Sequence, residues 1–164
     1  MSTALSQPPA TILFLHGLDS STRGTKALWF RAHFPQVEMR DYHGELTDRL
    51  AQLEEQTAQA GQLILVGSSF GGLMAACFAA RHPDRCGRLI LLAPALNYGG
   101  YQPPPIPLEL PVFMVIGAQD SVCPPDLVIP LARAAFSNLE VRLEDDDHLL
   151  HRTFPCLDWS SLLI

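Results

Sequence analysis

Short runs of apolar residues recur along the chain, and longer segments of mixed polarity separate them. Four of the runs are apolar at nearly every position, which is typical of strands buried on both faces of a parallel sheet. Two further runs alternate between apolar and polar residues, so we expect them nearer the edges or ends of the sheet. The uniformly apolar runs are residues 11–15, 63–66, 89–92 and 112–116, and the alternating runs are residues 37–40 and 139–143.

The segments between these runs have the length and composition of helices. In residues 45–59, a stripe of mainly apolar residues recurs at spacings of three and four from Leu46 to Thr57, as in an amphipathic helix. Pro130 falls inside another helical segment, so we expect it in the first turn of that helix or at its true start. The predicted helices cover residues 24–33, 45–59, 70–81, 127–136 and, as a short closing helix, 156–163.

This alternation predicts a three-layer α/β/α sandwich with a mostly parallel central sheet of about six strands. The 164 residues suit a single domain over 1–164, without an internal repeat or a linker, and we expect residues 1–9 to be flexible. One stretch is irregular: residues 97–111 carry Gly99-Gly100 and five prolines. We expect this stretch to lie as a loop over one end of the sheet.

Composition excludes several classes of protein. Apolar residues make up 48% of the chain and charged residues 17%, which predicts a packed core rather than disorder. The formal net charge of −6 argues against nucleic acid as a partner, since phosphate binding needs a basic surface. No apolar run approaches the ~20 residues of a membrane span.

The sequence also indicates the cellular compartment in which we expect the protein. Residues 1–10 lack the basic and apolar regions of a signal peptide. The four cysteines show neither CxxC pairing nor zinc spacing, so we expect them to be buried or free thiols in a reducing compartment. A soluble, cytoplasmic protein is the expectation.

The first chemical signal follows the run at 63–66. Residues 67–72 read GSSFGG and lead into a predicted helix, which is the Gly-x-Ser-x-Gly pattern of a nucleophile elbow with Ser69 as the nucleophile. Ser68 is less suitable, because valine and phenylalanine would occupy the two positions that the tight turn requires to be small. A glycine-rich turn without chemistry is the alternative. A phosphate-binding loop is excluded, because no Lys-Ser/Thr pair follows and the pattern GxGxxG is absent.

The first apolar run ends in a His-Gly turn, His16-Gly17-Leu18. We expect the backbone N–H of Leu18 and that of Phe70 to form an oxyanion hole beside the elbow. His16 itself precedes this hole, and we expect it to be a structural or loop-orienting residue.

Two more candidates follow strands at the same end of the sheet, where open parallel sheets bind their ligands. Asp120 comes after the run at 112–116, and His148 comes after the run at 139–143. Ser69, Asp120 and His148 therefore occur in the chain order that this type of elbow requires. In that arrangement His148 accepts the Ser69 proton, and Asp120 holds the imidazole in the productive tautomer.

Each of these residues has an alternative role. Asp120 could cap a helix or a turn, and His148 competes with His151. The acidic run at 144–147 beside two histidines could indicate a metal site, but consecutive carboxylates cannot all face one ion, so we predict no metal. We also expect changes at 145–147 to matter little, because residues directly before His148 cannot readily reach its Nδ1.

With these residues the chain resembles the α/β-hydrolase superfamily over nearly its whole length. The sequence HGLDSS at 16–21, followed by Lys26-Ala27, is similar to that of small, lidless, YqiA-like bacterial esterases. The resemblance implies a carboxylic-ester hydrolase that acts through an acyl-enzyme, needs no cofactor and takes a small-molecule ester. The usual fold has eight strands and a cap, whereas here only residues 97–111 occupy the cap position. We therefore expect an open, shallow site and short-acyl esters.

The expected pocket walls are residues 97–111, residues 19–25 and those that follow Asp120, with apolar surface from Tyr98 and Tyr101. A thioesterase or an amide or peptide hydrolase with the same triad is the alternative enzyme. A binding protein that has lost turnover is the alternative outside enzymes. The joint presence of serine, aspartate and histidine favours catalysis, since a binding module does not need all three.

Overall fold

The computed structural model describes residues 8–164, so most of the segment 1–9 that we predict to be flexible lies outside the described residues. The six predicted strands form one all-parallel sheet in the order β2-β1-β3-β4-β5-β6. The two alternating runs form the edge strands β2 and β6, as expected. The strands are β1 (Thr11–Leu15), β2 (Glu38–Met39), β3 (Leu63–Ser68), β4 (Cys86–Leu92), β5 (Val112–Gly117) and β6 (Leu139–Glu144).

The predicted helices are also present, with one correction. Pro130 lies in the second turn of its helix rather than in the first, because the helix begins five residues earlier, at Pro125. Its ring is exposed to solvent, so the helix loses a backbone hydrogen bond there without ending. The helices are α1 (Thr25–His33), α2 (Leu46–Thr57), α3 (Phe70–Arg81), α4 (Pro125–Ala135) and α5 (Trp159–Leu162), with 3₁₀ turns at Pro83–Arg85 and Phe154–Cys156.

Apolar side chains pack on both faces of the sheet. In β1, Leu13 and Leu15 join the buried cluster formed with α2, α3 and α4. Ile12 and Phe14 point to the other face, where they join α1 and the C-terminal segment. Burial on both sides explains why the central strands are apolar throughout. No helix within residues 8–164 is long and apolar enough to span a bilayer.

The order of the strands determines where the site can form. The chain adds β2 on one side of β1 and then returns to add β3 on the other side. A crevice opens at such a switch in direction, at the carboxyl ends of the two neighbouring strands. β1 leads there into His16-Gly17, and β3 leads into Ser69.

Residues 97–111 form an irregular loop between β4 and β5, as predicted. The Tyr98 N–H donates to the carbonyl of Ala95 at the start of the loop. Near its end, Leu108 forms a parallel bridge with Phe136, which follows α4. The loop is therefore attached to the body of the domain at both ends.

Candidate active site

Ser69 lies at the turn between β3 and α3 in a backbone conformation that residues other than glycine seldom adopt. Its φ is 53° and its ψ is −115°, so the turn is strained at this residue. The Ser69 N–H donates to the carbonyl of Leu92, and the Ser69 carbonyl accepts hydrogen bonds from the N–H groups of Gly72, Leu73 and Ala95. These four bonds hold the strained conformation in place.

Two glycines make the turn possible. A Cβ atom on Gly67 would lie 2.3 Å from the carbonyl oxygen of Gly71, and one on Gly71 would lie 1.9 Å from the carbonyl oxygen of Leu15. Both contacts are with main-chain atoms, so no side-chain rearrangement could relieve them. The glycines required on either side of Ser69 are thus explained by close packing.

The side chains of Ser69, His148 and Asp120 form one hydrogen-bonded series. His148 Nε2 lies 3.1 Å from Ser69 Oγ, and His148 Nδ1 lies 2.7 Å from Asp120 Oδ2. The Asp120 side chain is fully buried, whereas 18% of the His148 side chain is exposed. With the Nδ1 proton donated to Asp120, Nε2 presents its lone pair to the Ser69 hydroxyl. This tautomer can accept a proton from Ser69.

Asp120 is at the same time a turn residue. Its Oδ1 atom accepts hydrogen bonds from the N–H groups of Val122 at 2.9 Å and of Cys123 at 2.7 Å. Its Oδ2 atom is thereby directed to His148. The turn-capping and histidine-orienting roles therefore belong to different oxygens of one carboxylate.

The loops that follow β5 and β6 are bound to each other, which brings Asp120 and His148 together. The Gln119 N–H donates to the carbonyl of Asp146 at 3.1 Å. Gly117, at the end of β5, allows this approach, because a Cβ atom there would lie 2.3 Å from the same carbonyl oxygen.

Asp146 is the buried anchor of the loop that carries His148, and sequence reasoning missed it. Its Oδ1 atom accepts from the Asp147 N–H at 2.8 Å, and its Oδ2 atom accepts from the Arg152 N–H, the Thr153 N–H and the Thr153 hydroxyl at 2.8–3.0 Å. Burial alone would raise its pKa, but these hydrogen bonds lower the pKa of Asp146 to about 2. In contrast to the expectation for 145–147, we therefore predict that a change at Asp146 is costly.

Leu18 and Phe70, whose backbone N–H groups we predict to form the oxyanion hole, both line the cavity that contains Ser69. Gly17 packs against the elbow, since a Cβ atom there would lie 3.7 Å from Ser69 Cβ. Within residues 8–164, neither N–H group donates a hydrogen bond to another part of the chain. Both are therefore available to an external oxygen atom.

A buried arginine, Arg49, contacts both the turn at Leu18 and the side chain of Phe70. Arg49 is 5% exposed and donates to the carbonyl of Leu18 at 3.1 Å and to that of Gly44 at 3.0 Å. Its guanidinium lies over the Phe70 ring, 5.3 Å from the centroid. Among the described residues, the buried Nη1 atom has no hydrogen-bond partner. Burial lowers the pKa of Arg49. Sequence reasoning missed this residue because it is a charged residue in the first turn of α2 and belongs to no motif.

His16 is buried and bonded on both sides of its ring, in agreement with the expected structural role. Its Nε2 atom accepts from the Tyr42 N–H at 2.9 Å, and its Nδ1 atom lies 2.7 Å from the Gly17 carbonyl. Burial lowers the pKa of His16, consistent with a neutral ring that holds the turn before Leu18.

A cavity of about 770 Å³ opens in front of Ser69 and His148, within the range of small-molecule sites. All three predicted wall segments contribute to it, through Asn97, residues 19–20 and Val122. Helix α1 and the C-terminal segment form a further wall that was not predicted, with Trp29 and Phe154. These aromatic side chains add apolar surface to the cavity.

The two tyrosines proposed for the pocket behave differently. Tyr98 lines the cavity and packs edge-on against Phe70, with 5.5 Å between the ring centroids. Tyr101 does not line the cavity, so its predicted role is wrong. It packs against the core that contains α3 instead, and this burial raises its pKa to about 12.

Lys26, in α1, also lines the cavity. Its Nζ atom donates to the carbonyl of Leu149 at 2.6 Å and lies 5.4 Å from the centroid of the Phe154 ring. Burial lowers the pKa of Lys26, although Asp146 and Asp147 partly offset this effect. Lys26 therefore ties α1 to the residue that follows His148.

The acidic run before His148 does not form a common site. Asp146 is buried in its loop, Asp147 pairs with His151 at 2.8 Å, and Asp145 lies 3.5 Å from Arg152. Within residues 8–164, the cluster of potential metal ligands that does converge is Asp120, Cys123 and His148.

Comparisons with known proteins identify the family and the fold of this chain. A family model described as the alpha/beta hydrolase fold matches residues 15–110. Lipase LipV from Mycobacterium tuberculosis is 26% identical in an alignment that covers 87% of this chain. The chain spans 58% of the length of that lipase.

Two solved structures share the fold at lower identity. Est1E from Butyrivibrio proteoclasticus superposes with a TM-score of 0.75 at 14% identity, covering 94% of this chain and 86% of the other. Alpha/beta hydrolase domain-containing protein 10 from mouse gives a TM-score of 0.73 at 19% identity, with coverages of 87% and 83%.

Proposed function

Because the chain belongs to the alpha/beta hydrolase fold family, we propose that this hydrolase is a serine carboxylesterase with Ser69, His148 and Asp120 as its catalytic residues. The observation that carries the proposal is the hydrogen-bonded series from Asp120 Oδ2 through the imidazole to Ser69 Oγ, with spacings of 2.7 and 3.1 Å. These distances lie within reach of direct proton transfer. The cavity beside Ser69 offers room for a substrate.

In the first half of the reaction, Ser69 Oγ attacks the ester carbonyl while its proton passes to His148 Nε2. The buried Asp120 carboxylate stabilises the resulting imidazolium. The N–H groups of Leu18 and Phe70 bind the oxyanion, and one such donor contributes about 3–4 kcal/mol to lowering the barrier. The bond to the alcohol oxygen then breaks, His148 protonates the departing alcohol, and the acyl group remains on Ser69.

In the second half, water attacks the acyl-enzyme while His148 accepts its proton. The tetrahedral intermediate collapses, His148 returns the proton to Ser69 Oγ, and the carboxylic acid leaves. No step needs a cofactor. The part of His148 that is exposed to solvent, 18% of its side chain, supports access of this water from the cavity.

Small esters are the proposed substrates. The cavity walls are mainly apolar, with Trp29, Tyr98 and Phe154 among them, and such walls favour an uncharged acyl group. The volume of about 770 Å³ extends the range from the short acyl chains that we expected to medium-length or aromatic ones.

The cytoplasm is the proposed location. All four cysteines, Cys77, Cys86, Cys123 and Cys156, are free thiols. Free thiols are usual in proteins of reducing compartments.

Labelling with a fluorophosphonate probe tests the nucleophile. We expect the wild-type protein and Ser68→Ala to be labelled and Ser69→Ala to remain unlabelled, with all three equally folded by circular dichroism. Labelling of Ser69→Ala together with loss of label in Ser68→Ala would show that Ser68, and not Ser69, is the nucleophile. A folded wild-type protein that reacts with no probe would support the binding-protein alternative.

A substrate panel tests the reaction class. We expect p-nitrophenyl esters from acetate to octanoate to be hydrolysed with higher kcat/KM than acyl-CoA thioesters and aminoacyl amides. A preference for thioesters by tenfold or more, which corresponds to about 1.4 kcal/mol in transition-state binding, would replace the esterase proposal with the thioesterase alternative.

A further inference from the structure

The proposed reaction leaves one reactive group of the site unused, the thiol of Cys123. Cys123 is 1% exposed and lines the cavity together with Ser69. Burial, with a smaller effect of the Asp120 carboxylate, raises its pKa to about 11. It is therefore a protonated thiol at neutral pH and does not compete with Ser69 as a nucleophile.

This thiol belongs to a convergent set of three different donor atoms. One ligand atom from each of Asp120, Cys123 and His148 lies within 4.8 Å of those from the other two. Sulfur, imidazole nitrogen and carboxylate oxygen together form a donor set that binds zinc well. Three protein ligands with an open fourth position are the usual number in accessible zinc sites, and here the fourth position would face the cavity.

The separations suit a bound ion after a small adjustment. Zinc–ligand bonds of about 2.0–2.3 Å in tetrahedral geometry place the ligand atoms roughly 3.3–3.8 Å apart. The upper limit of 4.8 Å exceeds this range by about 1 Å. The 2.7 Å between His148 Nδ1 and Asp120 Oδ2 falls short of it by about 0.6 Å, so the ion would replace that hydrogen bond and separate the two atoms. Cys123 and His148 both lie in loops that follow strands rather than in the strands, so a movement of this size does not disturb the sheet.

We propose that Asp120, Cys123 and His148 form an inhibitory binding site for Zn²⁺. On binding, the Cys123 thiol releases its proton to solvent, and the thiolate, a ring nitrogen of His148 and a carboxylate oxygen of Asp120 donate electron pairs to the ion. The imidazole then no longer accepts the Ser69 proton, so hydrolysis stops until a chelator removes the ion. The effect on activity rests on the proposed function, whereas binding of the ion does not.

Direct binding is measured with Co²⁺ as a spectroscopic substitute for Zn²⁺. We expect the full-length protein to develop a thiolate-to-cobalt charge-transfer band that added Zn²⁺ abolishes. Cys123→Ser should lack the band. His148→Gln, which changes a partly exposed residue, is the second variant and should also lack it. Cys156→Ser is the matched control, since Cys156 is exposed and outside the cavity, and it should retain the band. A wild-type protein without the band, or a band that survives Cys123→Ser, overturns the site.

Inhibition is measured on the same proteins with a p-nitrophenyl ester. We expect Zn²⁺ to inhibit the wild-type protein, EDTA to restore its activity, and EDTA alone to leave the untreated enzyme unchanged. Loss of an outer-shell partner of a metal ligand commonly weakens affinity about 10–100-fold, and loss of a direct ligand should cost no less. Cys123→Ser should therefore need at least about tenfold more Zn²⁺ than Cys156→Ser for half-inhibition. Equal sensitivity of these two variants contradicts the proposal. A charge-transfer band in a protein that hydrolyses no ester supports the metal site and refutes the esterase function.

Discussion

Replacement of Asp146 by asparagine tests whether the loop anchored by this residue determines the position of His148. The asparagine oxygen can take the place of Oδ2 and keep its three donors, but the amide NH₂ group then faces the Asp147 N–H, which now lies 2.8 Å from Oδ1. One hydrogen bond to a charged group is lost, at a cost of about 1.5–3 kcal/mol. For a domain of this size, the melting temperature should fall by about 3–12 °C.

The change should also reduce catalysis, because a displacement of a catalytic group by about 1 Å can cost 10²-fold in rate. We expect kcat for Asp146→Asn to fall about 10–100-fold, with a smaller change in KM. Asp145→Asn is the matched control, since 81% of the Asp145 side chain is exposed, and it should behave like the wild-type protein. A melting temperature and kcat for Asp146→Asn that both equal those of the control would refute the reasoning. A lowered melting temperature with normal kcat would limit Asp146 to a structural role.

Other predictions address the acid, the elbow, the oxyanion hole and acid stability. Asp120→Asn should lower kcat by about 10⁴-fold, because an amide N–H directed at His148 favours the wrong tautomer, and near-normal turnover would remove Asp120 from the triad. Gly71→Ala should destabilise the domain by about 1–3 kcal/mol or more in chemical denaturation, whereas Gly61→Ala, with no atom within 4 Å of its added Cβ, should not. Arg49→Met should lower kcat more than it raises KM, and unchanged kinetics would contradict a role in positioning the Leu18 loop. The pKa of Asp146 is lowered from 3.8 to about 2 on folding, so its ionised form stabilises the domain fully above about pH 4 and loses this effect as pH falls through about 2, a component that the stability profile of Asp146→Asn should lack.

The sheet could be predicted from sequence because burial on both faces leaves a strong and local signal. The runs at 11–15 and 112–116 appear as β1 and β5 with nearly the predicted bounds, and the family match confirms the resemblance at the level of the superfamily. The closer similarity to YqiA-like esterases stays a prediction. The positions of Ser69, Asp120 and His148 at one edge of the sheet could also be predicted from the sequence. Parallel strands bring the residues that follow them to the same edge.

The supporting residues could not be predicted, because their roles depend on contacts between distant segments. Arg49 is one of several charged residues in an amphipathic helix, and only the packed structure directs it inward to Leu18. Asp146 is indistinguishable in sequence from its acidic neighbours, and its burial follows from the turn that returns the chain to Thr153. Tyr101 belongs to the 97–111 segment that we expect to wall the pocket, but the folded chain packs its side chain against the core.

The attachment of the 97–111 loop at both ends makes its tip a natural acceptor for grafted sequence. Gly99 and Gly100 are exposed, and an added Cβ at either would meet no atom within 4 Å. Exposed turns of this kind tolerate insertions, and each doubling of loop length costs only about 0.6 kcal/mol in closure entropy. Because Tyr98, directly before this tip, lines the cavity, a helical hairpin inserted between the two glycines would stand over its mouth. A library of lid segments inserted at this position can therefore be screened for altered substrate selectivity. The sheet and the three loops that carry the proposed catalytic residues stay constant in such a library.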